Sequence, residues 1–106
     1  MSTALSPEIF LPAGSINDLN FTFNFAHTGS ATPDDQLRLG VLVNGEVINL
    51  FQESGNGLTR TGEFINTTVG LEEFGGQTIQ ILIEAIDTSN TVIEAAIDNL
   101  VVETVS

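Results

Sequence analysis

The chain has 106 residues, with two Arg, no Lys and one His against fourteen Asp and Glu, for a formal charge of -12. That balance excludes a phosphate-tracking nucleic-acid surface and disfavours docking on anionic membranes. The lack of cysteine removes disulfides, thiolate zinc sites and a Cys nucleophile, and no apolar run is long enough to span a bilayer as a helix.

Taken in chain order, the elements follow a period of two. Ser6-Pro7-Glu8-Ile9-Phe10-Leu11-Pro12 has a proline near each end, which confines it to a short edge strand. Leu19, Phe21, Phe23 and Phe25 alternate with Asn20, Thr22 and Asn24, the mark of a half-buried strand with one polar face. Leu37, Leu39, Val41 and Val43 form a second alternating run. Asn44-Gly45 follows, and the apolar pattern resumes at Val47, Ile48, Leu50 and Phe51. An Asn-Gly pair between two such runs signals a tight hairpin, because both residues tolerate positive φ.

The Gly-, Ser- and Asn-containing segment Glu53 to Thr59 reads as a loop. Phe64 to Leu71 reads as a further strand, Glu72 to Phe74 as a helical turn, and Gly75-Gly76 as a break. Gln77 to Asp87 places Ile79, Ile81, Ile83 and Ala85 on one face and Leu82 and Ile86 on the other, so this strand is expected to be covered on both sides. Asp87 to Thr91 reads as a polar turn and Val92 to Thr104 as the last strand. The parity of that strand slips between Ile97 and Leu100, and a β-bulge near Asp98-Asn99 would restore one inward row. Six or seven strands, almost no helix and close turns predict an all-β fold, an antiparallel β-sandwich occupying residues 1–106 as a single domain.

Several local motifs, in order, carry a resemblance. The chain has Ala4-Leu5-Ser6-Pro7-Glu8-Ile9, then the Phe-rich run Leu19 to Phe25, Asp34-Asp35-Gln36-Leu37 and Val43-Asn44-Gly45. Gly62-Glu63-Phe64, Leu71 to Phe74 and Gly76-Gln77-Thr78-Ile79 follow, and the chain closes with Ile93-Glu94-Ala95-Ala96-Ile97-Asp98-Asn99-Leu100-Val101-Val102. This order resembles the jelly-roll accessory modules of extracellular bacterial proteins, relatives in architecture of MAM, galactose-binding-like and carbohydrate-binding sandwiches. The resemblance implies a jelly roll and an extracellular or cell-surface setting. Phe64 stands where those modules usually have Trp. They often begin with another strand ahead of the position of Leu5, so an open sheet edge, able to pair with a second copy, is expected here. Met1 to Leu5 lacks the basic and apolar stretches of a signal peptide, so a secreted setting implies a piece of a longer protein.

Two candidate sites follow. The acids run from Glu8 to Glu103 and read first as a solubilising surface. Glu94 and Asp98 share a strand face, and Asp34 and Asp35 sit where a loop enters a strand. The resemblance implies that a loop acid and a last-strand acid converge on one structural calcium ion, with Asp35 and Asp98 foremost and Glu8 an outlying candidate. The polar row Asn20, Thr22 and Asn24 is the candidate for sugar binding, with a polysaccharide or a glycoprotein glycan as partner. Phe21, Phe23 and Phe25 are assigned to the core, as are Phe51, Phe64 and Phe74. His27 ends the Phe strand with no nucleophile-elbow pattern around any Ser, so no enzyme is expected. Asn20-Phe21-Thr22 and Asn66-Thr67-Thr68 match the glycosylation sequon and are taken as chance matches. The expectation is a non-catalytic binding module with a structural calcium, the alternative a spacer or assembly domain of a surface protein.

Overall fold

The computed structural model describes residues 2–29, 31–87 and 93–105 and is all-β. Its strands are β1 (Ser2–Leu5), β2 (Ile9–Phe10), β3 (Ile16–His27), β4 (Gln36–Val43), β5 (Glu46–Ser54), β6 (Ile65–Gly70), β7 (Thr78–Ile86) and β8 (Ile93–Val105). One three-residue 3-10 turn, Glu72–Phe74, stands where the helical turn is expected. The polar turn expected over Asp87 to Thr91 lies, apart from Asp87, outside the described residues, as does Val92.

Two antiparallel sheets make the sandwich. One has the order β1-β7-β4-β5, with β2 also on β7, and the other the order β6-β3-β8. Alternation explains the layering. Leu19, Phe21, Phe23 and Phe25 of β3 face Leu37, Leu39, Val41 and Val43 of β4 and Ile79 and Ile81 of β7 in one buried cluster, with Leu11, Leu71 and Phe74 alongside. Removing this apolar area from water is the main driving force for closing the two sheets. Phe51 joins from β5, its ring 5.2 Å from Phe21 and 4.8 Å from Phe23.

The expected local devices are present. Asn44 and Gly45 adopt φ of 53° and 76° and join β4 to β5 in direct register, Val43 opposite Glu46. A bulge between Leu39 and Gly40 lets both Ile48 and Phe51 pack on the core despite their odd spacing. Gly40 is required there, since a Cβ would collide with the Ile48 carbonyl oxygen. In β8 the register shifts so that Asn20 faces Val101 while Thr22 faces Asp98, which places the expected bulge at Asn99-Leu100. Asn99 takes φ of 54°, the left-handed conformation that Asn accepts more readily than other side chains.

Two expectations are corrected. Residues ahead of Ser6 form a strand: β1 pairs with β7 from Ser2 opposite Ala85 to Leu5 opposite Leu82. β1 and β2 are one edge strand interrupted at Ser6-Pro7-Glu8, where Pro7 has no N–H to give the ladder. Phe64 is 59% exposed rather than in the core. It precedes the first β6 pairing, and Arg60 instead covers the margin of the sandwich, its guanidinium 5.9 Å from the Phe23 and Phe25 rings.

Candidate functional site

β3 is the central strand of the three-stranded sheet, so its even-numbered side chains face outward between two neighbours. The register sets Asn20 beside Thr68, and Thr22 between Asn66 and Asp98. These residues lie on the polar half of each alternation, and their side chains are short. They leave a shallow depression of about 350 Å³ lined by Asn20, Phe21, Thr22, Asn66, Thr67, Thr68 and Asn99. None of these residues is charged, in a chain whose formal charge is -12.

Hydrogen bonds orient the face. Thr68 Oγ1 donates to Asn20 Oδ1 at 2.6 Å, and Thr22 Oγ1 donates to the Asp98 carbonyl at 3.1 Å. The Asn99 amide nitrogen lies 3.4 Å from Thr22 Oγ1 and donates to it, so the bulge turns this side chain onto the outer face. The Asn66 side chain is exposed. Such a surface offers amide donors, amide acceptors and hydroxyls that serve as either, the complement of a polyhydroxylated ligand.

Of the three residues expected to bind sugar, Asn20 and Thr22 line the depression. Asn24 shares their face, but its Oδ1 accepts the Glu63 backbone N–H at 3.0 Å and holds the chain entering β6. Asn66, Thr68 and Asn99 were not anticipated as site residues. The sequon around Asn66 flagged only a motif, and the signal that finds them is the pairing of β6 and β8 on either side of β3.

The four acids expected to share calcium are placed as follows. Glu94 and Asp98 are both exposed on β8, four residues or roughly 13 Å apart along the strand. Asp98 Oδ1 accepts the Asn99 N–H at 2.8 Å. Asp34 is exposed. Asp35 is fully buried at the entry to β4, where its Oδ2 accepts the Thr32 N–H at 2.8 Å. The Asp35 N–H donates back to the Thr32 carbonyl, and the Asp35 carbonyl accepts the Gly55 N–H. Asp35 thus ties the loop before β4 to itself and to the end of β5. Glu8 is exposed in the connection between β1 and β2. Among the described residues no group of three or more His, Cys, Asp or Glu side chains is gathered to hold a metal ion.

His27 is buried at the end of β3, with Nδ1 3.2 Å from the Thr28 carbonyl and its ring 5.3 Å from Phe25. Its backbone exchanges two hydrogen bonds with Arg60, whose guanidinium also pairs with Glu53 at 3.6 Å.

No protein-family model matches this chain, and no curated protein matches it.

Proposed function

We propose that this chain is a non-catalytic binding module of an extracellular or cell-surface protein, and that it takes a neutral polysaccharide on the outer face of the β6-β3-β8 sheet. One observation carries the reading: Asn20 and Thr22 converge with Asn66, Thr68 and Asn99 on an uncharged depression, although acids are spread along the rest of the chain. An anionic glycan would approach against the protein's net field, whereas a neutral one meets the amides and hydroxyls of the depression with the exposed Asp98 beside them. Attached to a longer protein, such a module raises the local concentration of its neighbours on the polymer.

The rival reading, a spacer or assembly domain, is favoured by a different observation. The outward positions of this sheet carry no aromatic ring on which a sugar would stack. Affinity electrophoresis against neutral and acidic polysaccharides separates the two. Retardation by a neutral polymer is the expected result, and uniform migration across the panel supports the spacer. Repeating the run with calcium and with chelator assigns the ion: retardation lost in chelator places calcium in or beneath the site, and unchanged retardation leaves binding to the amides and hydroxyls.

A further inference from the structure

We infer that β1 is an exchangeable arm, and that a second copy of this chain docks by seating its own Ser2–Leu5 on the β7 edge. The occupant of that edge is visible in the fold, since Ser2–Leu5 already pairs antiparallel with Leu82–Ala85. Three features make this strand separable from the body. All four residues are exposed, Leu5 at 48%, so its release uncovers little that the core depends on. Its small side chains also pack loosely. A cleft of about 180 Å³ remains between β1 and the margin of the sandwich, lined by Thr3, Ala4, Leu37, Ile83, Ala95 and Ile97 among others.

The third feature is the break that follows. Ser6 continues the β1 pairing, its N–H donating to the Ile81 carbonyl at 2.9 Å and its Oγ accepting the Ile81 N–H at 2.7 Å, contacts that a second copy offers equally. Pro7 then interrupts the ladder before β2 resumes opposite Thr78 and Ile79. The arm therefore pivots at Pro7-Glu8 and carries Ser6 with it, while β2 and the core stay in place. The arm Ser-Thr-Ala-Leu is also uncharged in a chain of net charge -12, so seating it on a second copy sets no carboxylate of the arm against an acid there. The exchanged contact repeats the internal one, so the two forms differ mainly in chain entropy and in repulsion between bodies. Dimer formation should rise with protein concentration, and should rise again as salt screens two acidic bodies.

The chain has no cysteine, which makes disulfide trapping clean. Thr3 lies directly opposite Glu84, and Ala4 opposite Ile83. Such facing pairs lie within the Cα separation that a disulfide bridges. T3C protein and E84C protein are mixed and oxidised, and the cross-linked peptides are identified by mass spectrometry. The expected result is a T3C–E84C dimer whose yield increases several-fold over a tenfold rise in concentration and increases further at high salt. The double variant T3C/E84C should also close within one chain at high dilution. Internal closure of the double variant with no mixed dimer at any concentration or salt overturns the proposal, as does failure of the double variant to close at all. The pair A4C and I83C repeats the test if either first variant does not fold.

Discussion

The two outer faces of the sandwich are built on the same pleat from side chains of different length. On the five-stranded sheet, one outward rank runs Thr3, Glu84, Arg38, Gln52, and these long side chains lie along the strands. Arg38 Nε donates to Gln36 Oε1 at 2.6 Å, and Gln52 Nε2 donates to Ser54 Oγ at 3.1 Å. On the three-stranded sheet the ranks Thr68, Asn20, Val101 and Asn66, Thr22, Asp98 are built of shorter side chains, and a depression results. Side-chain length thus separates a filled face from one that keeps a depression lined by amides and hydroxyls. Towards the interior the difference vanishes, because both sheets present unbroken apolar rows to one core.

Thermal or denaturant unfolding tests that division first at its interior. Phe25→Ala removes a ring that is 1% exposed and should cost about 3–5 kcal/mol, the range for a buried aromatic. Phe64→Ala, outside the core, should stay within about 0.5 kcal/mol of the parent protein. Equal losses would mean that the margin beside Arg60 closes over Phe64 in solution. The loop acids give a smaller contrast. Asp35→Ala removes a fully buried carboxylate that accepts the Thr32 N–H and should cost about 2 kcal/mol, while Asp34→Ala should change stability by no more than about 0.5 kcal/mol. If both were neutral, Asp35 would not be the fastener of its loop.

The smallest expected effect sets the two outer faces against each other directly. Asn66→Ala should weaken retardation by the bound polysaccharide about three- to tenfold, the equivalent of one lost hydrogen bond, without lowering the melting midpoint. Gln52→Ala, on the outer face of the other sheet, should leave retardation as it was. Equal losses from both would move the binding face off the β6-β3-β8 sheet.

What the sequence discloses here is what short-range chemistry controls. Period-two alternation marks β3 and β4, positive-φ tolerance marks the turn at Asn44-Gly45, and a slip of parity marks the β8 bulge. Strand neighbours are another matter. That β6 and β8 flank β3 depends on contacts between residues some forty to ninety positions apart. Two of the five polar site residues, Asn20 and Thr22, are therefore legible, while Asn66, Thr68 and Asn99 are not. β1 is not legible because four residues, Ser-Thr-Ala-Leu, are too few to display a period. The local sequence marks Asp35 as an acid at a loop–strand junction, but its burial and its bond to the Thr32 N–H become visible only in the fold. Phe64 reads as core because hydrophobicity alone does not reveal that Arg60 occupies the neighbouring margin.

The β8 bulge has a consequence for how this chain tolerates insertion and loss. Two residues, Asn99 and Leu100, stand opposite the single residue Phe21. Striking out Asn99 would leave Ile97, Leu100 and Val102 inward and Asp98 and Val101 outward, now as an uninterrupted ladder. The pleat therefore survives without this residue, whereas removal of one residue elsewhere in β8, away from the bulge, would turn the remainder of the strand inside out. Loss of one residue at the bulge, Asn99 in particular, is a length change that β8 absorbs. Because the Asn99 side chain borders the depression, the outer face can be reshaped there by indel as well as by substitution while the core keeps its register.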